Sequence, residues 1–166
     1  MVYIRKVEEI RWRNSHFYDS DVVSDLVTSE HDLSVWGYEE GNAKAKERAL
    51  LALIMSRSGF KDFFYVELTD PDLKRCNFSF NFKEGNTQFS KYKNLHRNIE
   101  VKTIIGLTTL AWILKRKISK GEIQYMGVEE EKDLFIKYAI PSEMSHDELS
   151  CKVYKKLFRE KNNISN

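Results

Sequence analysis

The chain has 166 residues and a mass of 19.6 kDa, a size that suits a single domain. Apolar residues make up 42% of it and charged residues 31%, which is enough apolar surface for one hydrophobic core and excludes a wholly disordered chain. Lys and Arg total 27 against 25 Asp and Glu, so the net charge of +2 argues against an obligatory polyanionic partner for the chain as a whole.

The N-terminal third of the chain predicts two strands and two helices. Alternation of Ile10 and Trp12 with arginines favours a strand near the N-terminus. A short capped helix is expected over 19–27, and a second strand begins at Leu33. Alanines and leucines recur at three- and four-residue spacing over 43–57, which predicts an amphipathic helix.

The middle of the chain predicts strands rich in aromatic residues. Residues 60–68 are aromatic and branched, as in a buried strand, and 69–72 form a turn around proline. Phe78, Phe80 and Phe82 then alternate with polar residues, which indicates a strand with one apolar face. We expect that apolar face to belong to the core rather than to an RNA-binding sheet, which has glycines between its aromatics.

The last half of the chain predicts the main core helix and a hairpin. The helix covers 99–118 and is apolar nearly all round, so we expect it to be buried on most sides or to pack against another chain. Gly106 costs a helix about 1 kcal/mol relative to alanine, and close approach of another backbone is the expected compensation. Residues 122–128 and 133–140 predict a hairpin, and a capped helix begins at Ser145.

These elements together predict the fold class. We expect one α+β domain over residues 1–161, with a mixed or antiparallel sheet covered by about four helices. Residues 162–166 are expected to form a frayed tail.

Location is predicted from segments that the sequence lacks. The N-terminus has no apolar signal segment, and the longest uncharged run, Thr103–Leu114, has 12 residues against about 20 for a membrane span. The two isolated cysteines favour a reducing cytoplasm. Frequent Lys and Asn indicate an AT-rich coding sequence, which favours a bacterial or mobile-element source.

The sequence contains no motif that specifies catalysis or metal binding. Gly-rich phosphate loops, a CxxC pair and a GxSxG turn are all missing. His16 and His31 lie near carboxylates that suit a divalent cation, but solvated capping residues explain both clusters better. No metal and no cofactor is therefore predicted.

Two catalytic alternatives stay open on residue type alone. Four residues are of the types that cysteine catalysis uses: Cys76, Cys151, His96 and His146. Lone cysteines are more often small buried hydrophobes. The Glu100-x-Lys102 spacing, with Asp62 or Glu67 on an earlier strand, matches a two-metal nuclease, but charge at a helix start explains it more simply.

Positive charge is concentrated in one stretch. Residues 84–120 carry 8 basic and 2 acidic side chains. Seven of the basic residues are candidates for contacts to nucleic-acid phosphates: Lys91, Lys93, Arg97, Lys115, Arg116, Lys117 and Lys120. Solvated charge at a helix C-terminus is the simpler interpretation.

The leading functional prediction comes from the aromatic content, which at 13% is more than one small core easily hides. Three tryptophans are candidates for a protein interface: Trp12, Trp36 and Trp112. We expect a non-enzymatic cytoplasmic adaptor or accessory subunit that binds a protein partner or self-associates, with no membrane contact. The alternative is a nucleic-acid-binding protein, with or without nuclease activity, that uses a basic patch within 91–120. A small-molecule enzyme is the less favoured third class.

Overall fold

Six strands form one antiparallel sheet at the centre of the fold. They are β1 Val2–Val7, β2 Asp32–Tyr38, β3 Phe63–Thr69, β4 Ser79–Asn81, β5 His96–Glu100 and β6 Gln124–Met126. Their order across the sheet is β4-β5-β2-β1-β3-β6, and every neighbouring pair is antiparallel. The computed structural model describes residues 1–13, 22, 25–26, 32–57, 59–87, 89–100 and 103–138.

Helices cover both faces of the sheet. On the first side lie α2 Ala43–Ile54, a 3-10 helix Ser90–Leu95 and α5 Val128–Tyr138. On the second side lie α1 Glu9–Arg13, α3 Asp70–Lys74 and α4 Ile104–Ser119. The predicted α+β class with an antiparallel sheet and helical cover is thus confirmed. Within the described ranges, every helix is too short or too polar to cross a membrane.

Aromatic side chains fill the core of the first side. Phe135 of α5 is fully buried, and its ring centroid lies 5.8 Å from that of Phe89 and 5.9 Å from that of Phe60. Gly85 lies so close to Trp36 that a Cβ there would stand 2.4 Å from its ring. Glycine is therefore the residue that lets the 82–87 segment lie directly on the tryptophan.

The second side has its own core, built mainly against α4. Trp12 is fully buried there, and its indole nitrogen donates a hydrogen bond of 2.7 Å to the Asp25 carboxylate. This bond satisfies the polar end of a buried indole. A Cβ on Gly106 would stand 2.8 Å from the carbonyl oxygen of Cys76, which confirms the expected close approach of another backbone.

Two predicted strands are helices in the structure. Ile10 and Trp12 belong to α1, which packs on α4, so the strand predicted from their alternation with arginines is wrong. The predicted hairpin is also wrong, because only β6 is extended and 128–138 is helical. Its three consecutive glutamates, 129–131, fall in the first turn of α5, where negative charge complements the helix dipole.

Two other predicted element boundaries differ from those in the structure. The predicted helix 99–118 begins only at Ile104, since 96–100 pairs with β2 as β5. The predicted turn 69–72 is the start of α3, closed by a capping box between Thr69 and Asp72. The predicted helix over 19–27 lies outside the described residues except for buried Val22 and Leu26 and half-buried Asp25, and the helix from Ser145 and the tail lie outside them entirely.

Candidate interaction surface

Exposed apolar side chains are confined to the second side of the sheet and its rim. Among the residues described, seven large apolar side chains are exposed: Met1, Phe80, Phe82, Ile104, Ile105, Trp112 and Tyr125. Strand register places two of them on the second side. Phe80 pairs with Ile99 and Tyr125 pairs with Phe64, and both partners pack into the second core. The first side shows no comparable exposed side chain within the described ranges.

The outward surface of α4 carries the most exposed of these residues. Ile104 is 83% exposed, Ile105 80% and Trp112 46%. Thr108 and Thr109 lie between them, and their hydroxyls donate to the carbonyl oxygens of Ile104 and Ile105 at 2.8 Å. Because those hydroxyl protons are already used within the helix, the surface offers mainly apolar contact. We call Ile104, Ile105, Thr108 and Trp112 the α4 outer face.

A groove with positive charge adjoins the α4 outer face at the helix C-terminus. It has a volume of about 260 Å³. Eight residues line it and define what we call the basic groove: Asp72, Arg75, Trp112, Ile113, Arg116, Lys117, Lys120 and Glu122. Trp112 belongs to both features, and the Arg116 guanidinium lies 5.3 Å from the centre of its ring. This distance is within the range of a cation–π contact.

The charges of the basic groove are only partly paired. The Lys117 ammonium lies 3.3 Å from a carboxylate oxygen of Asp72 and 3.2 Å from one of Glu122. Arg75, Arg116 and Lys120 form no salt bridge with any residue that the structure describes. The basic groove therefore has four cations against two carboxylates, a net charge of +2 that attracts an incoming anion.

Asp72 links the groove to the local fold. Burial alone raises the pKa of this carboxyl, but hydrogen bonds from the Thr69 backbone and side chain, together with Lys117, lower it overall. Asp72 therefore stays ionised at neutral pH and holds Lys117 against the wall of the groove. The same carboxylate closes the cap of α3, which carries Arg75 at its C-terminal end.

A second exposed aromatic pair lies on β4, where the core was expected. Phe80 is 42% exposed and stacks on Tyr3 with 4.8 Å between ring centroids. Phe82 is 59% exposed, and the Arg97 guanidinium lies 4.8 Å from its ring centre. The expectation of a core face is wrong for both, because β4 is a three-residue outer strand and only Phe78 is reached by packing from α4.

The structure divides the three candidate tryptophans. Trp12 and Trp36 are 0% and 3% exposed, so their proposal as interface residues is corrected: both stabilise cores. Trp36 packs edge-on against His96 at 4.9 Å between ring centroids. Trp112 alone offers surface to a partner. Sequence periodicity did not separate the three, because it does not report which side chains the tertiary fold covers.

The seven basic candidates do not form one patch, which corrects the prediction of a continuous basic surface. Lys91 and Lys93 belong to the 3-10 helix on the first side. Arg97 contacts Phe82, and Lys115 donates to the backbone carbonyl of Trp12. The remaining three line the basic groove: Arg116, Lys117 and Lys120. The two helices that carry these charges fold over opposite faces of the sheet, so closeness in sequence was misleading.

The described catalytic candidates are kept apart by the sheet. Cys76 is buried in the second core, where burial raises the pKa of its thiol to about 11. His96 faces the first side, and its Nδ1 lies 2.8 Å from the carbonyl oxygen of Lys83. A dyad between them is therefore excluded. The other cysteine and histidine candidates lie outside the described residues: Cys151, His146, His16 and His31.

The nuclease candidates do not converge either. Glu100 on β5 and Glu67 on β3 are separated by three strand spacings, about 14 Å, whereas two-metal sites hold their ions about 4 Å apart. Asp62 is engaged elsewhere, accepting a hydrogen bond of 2.9 Å from the Val128 backbone at the start of α5. Lys102 lies outside the described residues, and no group of three metal-ligating side chains occurs within them.

A polar cleft at one end of the sheet was not predicted from the sequence. Its volume is about 530 Å³, and Tyr38, Glu67 and Gln124 are among its lining residues. Lys46 from α2 lies 2.5 Å from Glu67 and donates to Gln124 at 3.0 Å. Tyr65 donates to the same Gln124 oxygen at 2.8 Å. These residues come from four different elements, so no local motif could reveal them.

The chemistry of this cleft is that of a satisfied network. Burial first, and then the neighbouring Glu67, raise the pKa of Tyr38, so its phenol stays protonated. Burial alone lowers the pKa of Lys46, but hydrogen bonds to Glu67 and Tyr65 raise it overall. The protonated phenol and the ammonium are not bases at neutral pH, and the Glu67 carboxylate is engaged by Lys46. The network therefore stabilises the packing of α2 against β3 and β6.

No protein-family model, no curated protein and no solved structure matches this chain. The functional argument therefore depends on the geometry of the second side. The α4 outer face and the basic groove are the features there that offer uncovered apolar surface and unpaired charge to a ligand.

Proposed function

We propose that this chain is a non-enzymatic binding module, an adaptor or accessory subunit, that binds a protein partner through the α4 outer face. The observation that carries the proposal is that, among the described residues, the exposed large apolar side chains are confined to the second side and its rim. Contiguous exposed apolar surface is typical of interfaces and is costly to leave in water. The proposal includes a cytoplasmic location and a bacterial source.

The composition of the α4 outer face supports protein contact. Burial of apolar area contributes roughly 25 cal/mol per Å², and tryptophan is enriched among residues that dominate binding energy. Ile104 and Trp112 are eight residues apart, which is about 12 Å along a helix. A partner side chain lying over Thr108 would therefore contact large apolar groups at both ends.

A partner of different sequence is favoured over a second copy of the chain. The outer surface of α4 is about 24 Å long and 10 Å wide, which is about 240 Å². Stable protein–protein interfaces cover about 800 Å² per partner. Pairing of two α4 helices alone falls well short of that area, whereas a different partner can also cover Phe80 and Phe82.

The proposal is tested by site-specific crosslinking. A photoreactive residue replaces Ile105 in the full chain, and a matched protein carries it in place of exposed Asp133 on α5, on the first side. We expect a discrete protein adduct from position 105 in host extract, absent from position 133 and lost on adding Trp112→Ser. An identical adduct pattern from both positions, or a monomer that forms no adduct, contradicts the proposal.

Nucleic-acid binding is the second candidate, and the convergence of Arg116, Lys117 and Lys120 beside Trp112 favours it. Neutral replacement of Arg116, Lys117 and Lys120 should then weaken binding and flatten its dependence on salt. Failure of the unmodified chain to shift DNA or RNA in a low-salt gel removes this candidate.

A further inference from the structure

The basic groove continues the α4 outer face rather than forming a separate site. Trp112 borders both, and Arg116 lies one helical turn further along the same helix. α4 contains no acidic residue, and its last turn is basic. The helix surface therefore changes from apolar at its N-terminal end to cationic at its C-terminal end.

We propose that the basic groove receives carboxylates of an acidic segment in the protein partner, while apolar side chains of the same segment cover Ile104 and Ile105. This inference rests on the proposed function and names the chemistry of its partner. Arg75 and Arg116 have no salt bridge within the described part of the chain, and guanidinium groups bind carboxylates through paired hydrogen bonds. Charge complementarity thus selects an acidic occupant.

The spacing along α4 defines the partner further. Ile104 and Arg116 are twelve residues apart, which is about 18 Å along the helix axis. A matching partner segment carries its apolar side chains and its carboxylates that far apart, about three turns if it is helical. Lys117 engages Asp72 and Glu122 at 3.3 and 3.2 Å, so Arg75, Arg116 and Lys120 are the cations that would bind a short anionic stretch.

A peptide is favoured over a nucleic acid for the same reasons. The α4 outer face offers two isoleucines, which have no favourable contact with a phosphate backbone. The cations Lys91 and Lys93, which a nucleic acid would need to extend its track, lie on the first side. A strand of phosphates leaving the basic groove would meet Glu122 on one wall and apolar side chains on α4.

The probe is a fluorescent 16-residue peptide with leucines in one half and four glutamates in the other, and its counterpart has glutamine in place of glutamate. Anisotropy is measured with the full chain, with Arg75→Gln combined with Arg116→Gln, and with a control. The control combines Lys44→Gln with Arg48→Gln, which removes the same charge from exposed positions on α2. We expect the groove variant and the glutamine peptide each to weaken binding roughly tenfold, and the control by less than about twofold.

Several results overturn the inference. They are equal binding of the two peptides, equal losses in the groove variant and the control, and no saturable binding up to about 1 mM. Tighter binding of a twelve-nucleotide oligothymidine than of the acidic peptide overturns it in favour of nucleic acid. Failure of the proposed function is distinguished by the crosslink from position 105. Absence of that adduct when Arg75 and Arg116 are intact rejects the function, whereas an adduct undiminished by the two arginine substitutions rejects only the groove assignment.

Discussion

The two sides of the sheet have comparable apolar cores but very different outer surfaces. On the first side, α2 and α5 bury their apolar residues and present charged residues to solvent, with ion pairs such as Lys137 to Glu47 at 2.7 Å between them. On the second side, α4 buries one apolar stripe and exposes another. A helix that only covers a hydrophobic core needs one apolar stripe, so the second apolar stripe of α4 is not needed for that purpose.

The difference separates apolar residues that stabilise the fold from apolar residues that are available for binding. Each large apolar side chain of the described first side is buried or partly buried by the chain itself, so stability explains that surface. Ile104 and Ile105 contribute little to folding because water surrounds most of their area in the folded protein. Each prediction below tests this division into a sealed side and an open side.

The largest effect on stability is expected from truncating a side chain in the core of the first side. Phe135→Ala removes a fully buried ring packed on Phe89 and Phe60, so it should lower the free energy of unfolding by about 3–5 kcal/mol. Trp112→Ala should lower it by less than about 1 kcal/mol. Urea denaturation of the three proteins measures both values. Equal losses would mean that Trp112 supports the fold and that the two sides do not differ.

A smaller loss of stability is expected from adding a methyl group where Gly85 contacts the Trp36 ring. The new Cβ of Gly85→Ala would stand 2.4 Å from the Trp36 ring and 2.7 Å from the His96 Cβ, so overpacking should cost about 1–3 kcal/mol. Gly59→Ala is the control, because nothing lies within 4 Å of its Cβ position. Thermal unfolding measures the cost, and an unchanged Tm for Gly85→Ala would show that this connection does not rest on the first core.

The two sides should respond to pH with opposite signs. Burial raises the pKa of Glu131 although Arg57 lowers it in part, so its contribution to stability falls as pH rises from about 4.3 through the folded pKa. The pKa of Asp72 is lowered overall by hydrogen bonds, despite its burial, so its contribution is present above about 3.9 and is lost as pH falls through the folded pKa.

Glu131→Gln and Asp72→Asn separate these two contributions. The difference in unfolding free energy between the unmodified chain and each variant is measured from pH 3 to 7. It should decrease with rising pH for Glu131 and increase for Asp72. Parallel slopes for the two variants would contradict the assignment.

The smallest effect on stability is expected from the α4 outer face itself. Ile104→Asp combined with Ile105→Asp should change the free energy of unfolding by within about 0.5 kcal/mol per site while removing the crosslink from a photoreactive residue placed at Thr108. Ile113→Asp is the matched control on the same helix, where the side chain is 3% exposed and the buried charge should cost several kcal/mol. A large loss from the first pair would place those isoleucines in the fold rather than in an interface.

Local pattern predicted those parts of the molecule where one element decides the outcome. Helix α2, strand β2 and the close approach at Gly106 followed from spacing and residue type. The same reasoning failed at α1 and α5, because short alternations fit a strand and a helix equally well until tertiary packing chooses between them.

The candidate surface was predicted only in part. Trp112 and the basic residues near the end of α4 were recognised as a set of residue types, but so were Trp12, Trp36 and Lys91, which the fold places elsewhere. The sheet-end cleft around Glu67 had no local signal, since its side chains come from four elements. Exposure depends on what covers a residue, and spacing along the chain does not report that.

The sequence by itself determined an α+β domain with helices on a sheet, because apolar periodicity and turn residues act within a few neighbours. Only the tertiary structure decided which apolar residues are covered, because that depends on strand order and on the path of α4 across the second side. Phe80 illustrates the reason. The alternation around Phe80 is that of a core strand, but β4 is an edge strand of the sheet and the Phe80 side chain stays 42% exposed.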